Sequence, residues 1–577
     1  MRRILPLFLL VACDSAPTVD LGTDADGDRY TSEEDCDDNA ATANPGAVEV
    51  CDGLDNDCDG EVDEDVVELQ YTDADGDTYG DPNSPVETCG ESIAGVVHND
   101  ADCDDTNAAV NPMGNEDEVI CDGLDNDCDG TADGGFRVPA DYALPSYAVG
   151  AARDGDIVCV SPGTYVDNVD FGGDDVTLLG TGGAEATILQ GVPGEGPVVS
   201  FDTRESAAAV IQGFTITGGD DPVGAGVYIR GADPTLLDLI ITDNACGATD
   251  TSCYGVGIYA EESSFTLSNS VVSGNEAYST NPYYPYDYGA GIALVRGTPT
   301  LTDVAISDNT INFPGNAYYG GGYGAGMYVS SSDPDVERVV ISGNIIRHNG
   351  TTYGQGGGLF VYASRGWFQN VTVVDNASLA TYAYGAGIFV DSYNTTTMVN
   401  LVSANNVTGG GDTTNAYGSG LFVAYSTLYL ENADIVGNLA TGSAFSGGGG
   451  FYGYYYSNAS FDNVSVADNE ALSAGVANGG AMAYDTSYPP SAMAFQYSSF
   501  SGNGEVPFLA CTSPVGTNEV IEGAPKYVDT SGASATTWDL SLGRGSTLVD
   551  VGDPDIDDAD HSRSDIGSRG GPDGDNW

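Results

Sequence analysis

The chain is almost devoid of positive charge. Of its 577 residues, 15 are Lys or Arg against 87 Asp or Glu, Lys526 is the sole lysine, and three are histidine, so the formal net charge is −72. A nucleic-acid binder needs a basic stripe to neutralise phosphates, and that class is excluded. Beyond the N-terminus no stretch is apolar for 18 residues, which leaves no candidate spanning helix there. No repeated segment carries an apolar 3.6-residue period, and 80 glycines are too many for helical repeats.

What is present instead is a repeat. Nine times a Gly-rich turn leads into an apolar-aromatic-apolar triplet, then a second alternating run, then an Asn. The glycine before the triplet is Gly226, Gly257, Gly291, Gly326, Gly358, Gly387, Gly420 or Gly450, with Ala481 in the ninth copy. The closing residue is Asn244, Asn275, Asn309, Asn344, Asn376, Asn406, Asn438, Asn469 or Asn503. Subtraction gives 18 positions in six copies, 19 in two and 22 in the last, whereas the stretch from Asn to the next Gly varies from 11 to 17. A fixed part followed by an elastic part predicts one solenoid turn plus a surface loop. Triplets such as Met327-Tyr328-Val329 and Leu359-Phe360-Val361 are predicted strands, with the flanking residues pointing one way and the ring the other. Six places before the closing Asn stands a second turn former: Asp238, Asn269, Asp303, Asn370, Asn400, Asn432 or Asn463, with Arg338 and Tyr497 as exceptions. Two stacked Asn/Asp columns, each able to adopt left-handed backbone and bond the neighbouring rungs, suit a parallel β-helix.

Ahead of the repeats, a short amphipathic cap is expected over Tyr147 to Arg153. Asp154 to Tyr165 then resembles the first coil of the pectin-lyase-like right-handed parallel β-helix family, and Val176 to Gly180 and Gly213 to Gly219 continue the likeness. The later G-x-G and Ser273 to Ala277 copies are similar to repeats of bacterial polymorphic outer-membrane proteins. The resemblance implies an all-β, right-handed parallel β-helix over 140–510, about 12 coils and on the order of 60 Å long at roughly 4.8 Å per rung. Residues 511–577 resemble the tail that closes many bacterial β-helix proteins; a metal clasp of Asp553, Asp555, Asp557, Asp558 and Asp560 is the sharper alternative.

Met1-Arg2-Arg3 followed by Ile4 to Ala12 is a charged head on an apolar run too short to span a bilayer. Leu10-Val11-Ala12-Cys13 matches the lipobox of bacterial lipoproteins, which implies a signal peptide over 1–12, acylation of Cys13 and a linker over 13–23. An outer-membrane or cell-surface location is expected, Asp14 leaving inner-membrane retention as the alternative. Export suits the cysteines, seven of which (Cys36, Cys51, Cys58, Cys89, Cys103, Cys121 and Cys128) crowd the first quarter of the chain as candidate disulfides. Cys246 and Cys253 are expected to pair locally, and Cys159 or Cys511 to be a buried free thiol.

The acidic front end has direction. Asp55, Asp57, Asp59 and Asp63 occupy positions 1, 3, 5 and 9 of an EF-hand-type loop with Gly60 at position 6, and Asp125, Asp127, Asp129 and Asp133 repeat the pattern with Gly130. Asp24, Asp26 and Asp28, and again Asp73, Asp75 and Asp77, keep the 1, 3, 5 spacing with Gly at position 4; Asp35 supplies position 12 in the first, but Ser84 stands there in the second. The two units, 24–66 and 71–135, resemble the metal-binding motif of bacterial surface proteins whose family name refers to copper, on markers such as Asp35-Cys36-Asp37-Asp38 and Asp102-Cys103-Asp104-Asp105. Hard carboxylate oxygens, with His98 the nearest imidazole, favour calcium over copper or zinc. Calcium should also let these small units fold. A plain acidic spacer is the alternative.

After Gly135 only 12 basic residues remain, and the Gly-His-Gly and Arg-x-Lys elements of polygalacturonases are missing. Arg347-His348, the one adjacent Arg-His pair, reads as surface charge in an elastic loop. The triplet centres Tyr228, Tyr259, Tyr328, Phe360, Phe389, Phe422 and Tyr452 should form an outward file, reinforced by Tyr254, Tyr288, Tyr323, Tyr384 and Tyr417 just before the G-x-G turns. Such a file either stabilises the ladder alone or, open to water, contacts a neutral glycan or partner surface. The sequence thus predicts a lipid-anchored, calcium-binding surface protein with a non-catalytic rod for adhesion; a β-helix polysaccharide lyase or glycoside hydrolase is the alternative. Cys13→Ala is expected to release the protein from membranes or block its processing. Unchanged membrane fractionation, with no acyl label on the natural chain, would remove the anchor.

Overall fold

The computed structural model describes residues 22–89, 93–114, 121, 124–130, 136–246, 252–279, 284–317, 319–350, 352–410, 413–485, 492–504, 507–509, 514–558 and 560–570. The chain divides into two compact units, 1–134 and 135–577. Cys13, Asp133 and Cys511 lie outside the described residues.

The second unit is an all-β parallel solenoid of about ten turns. Its nine triplets and three further strands form a 12-stranded sheet whose end strands, Val169–Asp170 and Phe508–Leu509, are two residues each, so complete turns are slightly fewer than the 12 expected. At roughly 4.8 Å per rung, ten turns rise about 48 Å. The runs after the triplets form an 18-stranded sheet, in which Thr266–Ser273, Thr300–Ser307, Asp335–Ser342 and Trp367–Val374 pair in register. The elastic stretch is more than a loop: it adds an eight-stranded sheet just after each Asn and a seven-stranded sheet just before each G-x-G. Strands such as Gly321–Tyr323 are three residues long and Gly-rich, so no alternation announces them. Among the described residues one α-helix occurs, Pro145–Val149, burying Pro145, Ala148 and Val149 at the start of the solenoid.

The triplet-flanking residues fill the interior; Val227, Ile229, Ile258, Met327, Val329, Leu359 and Ile388 are all fully buried. The second-turn column is left-handed throughout, from Asp238 (φ 51°) and Asn269 (φ 49°) to Asn463 (φ 54°). Arg338 (φ 52°) and Tyr497 (φ 43°) take the same backbone, so the coil imposes it even where propensity opposes it. The closing column differs from expectation. Its left-handed residue is the one before the Asn, as at Asp243, Asp308, Asp375 and Asn405.

The closing Asn itself is a buried rung. From Asn244 to Asn503, each Nδ2 donates to the next Oδ1 at 2.9–3.1 Å, eight bonds in succession. Asn344 shows the full pattern: its Nδ2 also donates to the Ile306 carbonyl at 2.9 Å, and its backbone N–H shares the Asn376 Oδ1 at 3.0 Å. Glycine is needed opposite. A Cβ on Gly326 would lie 2.8 Å from Asn344 Nδ2 and 2.7 Å from the Gly358 carbonyl, and one on Gly387 2.8 Å from Asn406 Nδ2 and 2.6 Å from the Gly420 carbonyl. Glycine and Asn of one coil must meet to close it, which explains why 18 or 19 residues separate them. In the last coil, with Ala481 and 22 positions, Asn503 is only partly buried.

The C-terminal segment runs back along the flank. Ser534 Oγ and the Ala535 N–H donate to Asp375, Tyr527 Oη and Ser568 to Asp434, and the Gly567 N–H to the Asn463 carbonyl. Ala535 and Leu540 pack with Val374, Val402, Ala404, Val436 and Ala467 on the outside of the long sheet.

Gly387→Ala is expected to destabilise the solenoid by about 1–3 kcal/mol through overpacking, measured as faster hydrogen exchange around residues 358–420. Gly410→Ala, where the new Cβ meets only Leu379 at 3.4 Å, should change little. Equal effects would contradict the ladder contact. Burial raises the Asp287 carboxyl to about 7, with the Cys253 N–H bonded to one oxygen. A raised acid stabilises below its unfolded value and loses that contribution as pH rises through the folded one. Thermal stability should therefore fall from about pH 4 to about pH 7 and level off above, less so in Asp287→Asn; equal slopes would refute this.

Candidate metal centres

The first unit is held by disulfides more than by a core. Cys36 pairs with Cys58, Cys103 with Cys128 and Cys51 with Cys89. The last bond solves the first repeat's odd cysteine by borrowing from the stretch only the second repeat has. Every described cysteine is in a disulfide, Cys159 included, so of the two candidates for a free thiol Cys159 is ruled out and Cys511 lies outside the described residues; Cys246 pairs with Cys253 as expected. A three-stranded antiparallel sheet, Pro85–Thr88 with Glu68–Thr72 and Val96–Val97, is the regular structure here.

The D-x-D-x-D loops fold identically in both repeats. Asp24 accepts the N–H groups of Gly27 (2.6 Å) and Arg29 (3.2 Å), and Asp73 those of Gly76 (2.7 Å) and Thr78 (3.2 Å). Asp26 and Asp28, like Asp75 and Asp77, each spend Oδ1 on a backbone N–H two residues on. The Oδ2 atoms of these four residues are shielded from solvent and have no hydrogen-bond partner, as is Oδ2 of Asp35. Asp24, Asp26 and Asp28 present oxygens within 4.8 Å of one another.

The EF-like loops are also a matched pair. Asp55 accepts the N–H groups of Asp59 (3.2 Å) and Gly60 (3.0 Å), and Asp125 those of Asp129 (2.9 Å) and Gly130 (2.8 Å). Asp55, Asp57 and Asp59 cluster within 4.8 Å, whereas the Asp63 carboxylate turns away to accept the Asp52 and Gly53 N–H groups at 2.9 and 3.0 Å. Glu49 and Glu64, which spacing missed, form a second cluster with Asp57. Glu49 also binds the Asp57 and Asp63 N–H groups, and Glu64 Oε2 is buried without a partner. Neither follows a loop pattern, so only the acid at each position hinted at them.

Partial desolvation, with like charges adding, holds the carboxyls of Asp26, Asp57, Asp75 and Asp102 above their ordinary range. A cation at each cluster would satisfy the oxygens gathered there. The donors are carboxylates, and the sulfurs of Cys36 and Cys58 beside Asp35 are locked in a disulfide, so the set fits a hard cation and offers copper no soft ligand.

On the solenoid, the aromatic file is not open to water. Phe360, Phe389, Phe422 and Tyr452 are 3, 3, 2 and 7% exposed, and Tyr259 is buried as well. The seven-stranded sheet meets the triplet sheet at a concave corner, where Tyr384 packs edge-on to Phe422 (5.2 Å) and Tyr417 to Tyr452 (5.0 Å). Successive rings stack along the axis, Phe360 to Phe389 at 5.0 Å and Phe389 to Phe422 at 4.7 Å. Tyr228 and Tyr328 are half-buried in the same arrangement, stacked on Tyr259 and Phe360. Rings that are outward from the core thus form a second core. His348 likewise is not surface charge: it is buried in the strand Ile345–Gly350 against Phe313, and burial lowers its pKa to about 4.

Residues 35–64 and 102–134 match the family model Cu-binding_MopE, described as a putative metal-binding motif. No curated protein matches the chain.

The raised carboxyl pKa values make the metal-free unit lose stability as pH rises above the ordinary carboxylate value, because the folded state holds those protons more tightly. At pH 7, millimolar calcium is expected to slow hydrogen exchange across residues 73–105 of the full chain, and a chelator to reverse it. Identical exchange in both would contradict metal binding there.

Proposed function

We propose that the protein is an exported, lipid-anchored surface protein in which calcium-binding repeats accompany a non-catalytic β-helix used for adhesion or partner contact. Matched metal-binding motifs beside a β-solenoid support the surface or partner-contact reading. The contact role rests on one observation: aromatic rings left outside both cores. Tyr393 is 84% exposed and Tyr456 48%, and both lie tilted against the half-buried Tyr425, at 6.1 and 6.4 Å, along successive coils. Tyr393 and Tyr456 both sit in left-handed backbone, where a bulky side chain is costly, and stay exposed there. Exposed rings of this kind mark contact with sugars or partner surfaces. Several of the rod's arginines are already paired with acids, Arg230 and Arg296 with Glu261 and Arg338 with Asp303, which leaves little to meet a polyuronate.

One observation favours the enzymatic alternative. Glu431 and Asp462 are register partners on adjacent rungs of the long sheet, and burial first, then Asp553 and Glu431, raises Asp462 to about 6. Burial raises Glu431 as well, and two adjacent carboxyls, one of them holding its proton, are the groups a glycoside hydrolase uses.

The purified protein is expected to release no reducing ends or unsaturated products from pectin, polygalacturonate or alginate, with or without calcium. Substituting Tyr393 and Tyr456 together by Ala should weaken polysaccharide or cell-surface binding, at roughly 0.5–1.5 kcal/mol per ring, without shifting the melting curve. Turnover that Asp462→Asn abolishes would reverse the ranking.

A further inference from the structure

The family match begins at Asp35 and at Asp102, so Asp73, Asp75 and Asp77 lie outside its second span. In linear spacing their loop is incomplete. Ser84 stands at position 12, and its hydroxyl is spent on Asp81 Oδ2 at 2.6 Å. The intervening chain makes the strands Pro85–Thr88 and Val96–Val97 and then returns. The Asp102 N–H donates to the Gly80 carbonyl at 3.2 Å, the Asn99 side chain to the Thr78 carbonyl at 2.9 Å, and the Ala74 N–H to Asp105 Oδ1 at 2.6 Å. These bonds lay the Asp102–Asp105 turn against the Asp73–Asp77 loop. The last has a counterpart in the first repeat, where the Ala25 N–H donates to Asp38 Oδ1 at 3.0 Å.

Asp102 is 2% exposed; its Oδ1 accepts the Asp104 N–H at 2.8 Å, and its Oδ2 is shielded with no partner. Asp75 and Asp77 bury Oδ2 atoms in the same state, and Asp73, Asp75 and Asp105 bring oxygens within 4.8 Å of one another. A carboxylate oxygen taken from water without a donor is strongly unfavourable, and several together more so. We propose that Asp102 is the missing ligand of a discontinuous cation site with Asp73, Asp75 and Asp77, closed across the inserted strands and filled by a hard divalent cation of calcium size. It plays the part that Asp35 plays 11 residues after Asp24, because both open the same Asp-Cys-Asp-Asp turn. The inference rests on the metal-binding reading of this unit, and it makes the cation a tie between segments that the disulfides Cys51–Cys89 and Cys103–Cys128 leave unlinked to each other.

Calcium uptake by the chelator-stripped, full-length protein in equilibrium dialysis tests it. Asp102→Asn is expected to bind one ion fewer, or that ion at least about tenfold more weakly, and Asp77→Asn to do the same. The double variant should lose no more than the same single ion, while Ser84→Ala keeps the full number. The ions still bound report that the unit remains folded. Wild-type stoichiometry and affinity in Asp102→Asn, or loss of two ions in the double variant, would overturn the inference and leave metal binding standing. No uptake by the natural chain would overturn both.

Discussion

Eight of the nine repeats depend on one contact, that between the closing Asn and the glycine of its own turn. The Asn amide donates up the stack to the next Asn and back to the carbonyl of the previous coil, as Asn344 does to Asn376 and Ile306, so no polar atom of the buried column goes wasted. The glycine opposite leaves no room for a Cβ. Together they set the perimeter of each turn, and the interior then needs only apolar residues at the triplet flanks. Everything outside that ring is free to vary, which is why the stretch from Asn to the next glycine changes length while the fixed part does not.

The freedom is used to build a second layer. Because the short strands before the G-x-G turns fold back toward the triplet sheet, rings pointing away from the interior meet other rings. Phe360, Phe389 and Phe422 with Tyr323, Tyr384 and Tyr417 form a core outside the core. The C-terminal segment covers another flank through Asp375, Asp434 and Asn463. The proposed contact with other molecules would fall to what remains uncovered, notably Tyr393 and Tyr456. The acidic unit follows the opposite strategy: disulfides and oriented carboxylates replace an apolar core, leaving oxygens that a cation would satisfy.

The legible features were those in which physics ties residues at constant spacing. The Gly-to-Asn interval revealed the coil, the triplet alternation revealed its interior, and the turn column six places before the Asn was left-handed as expected. Features that depend on tertiary return were not legible. Three-residue strands such as Gly321–Tyr323 are too short to show a period. Burial of the aromatic file required knowing that two sheets meet at a concave corner. Asp102 was hidden because inserted strands separate it from Asp77, although its Asp-Cys-Asp-Asp context matched that of Asp35. Asp63 fitted the loop spacing and yet caps Asp52 and Gly53, a competition for the same carboxylate that spacing does not reveal.

The ladder is the central claim, and a double-mutant cycle read by native-state hydrogen exchange tests it most directly. Asn376 and Asn406 are bonded at 3.1 Å, whereas Asn376 and Asn503 lie coils apart. Alanine at the adjacent pair should show a coupling of about 1 kcal/mol or more, since each leaves the other's buried amide unsatisfied. The distant pair should be additive. Additivity at both pairs would mean that the Asn column only fills space, and that the register of the solenoid is set elsewhere.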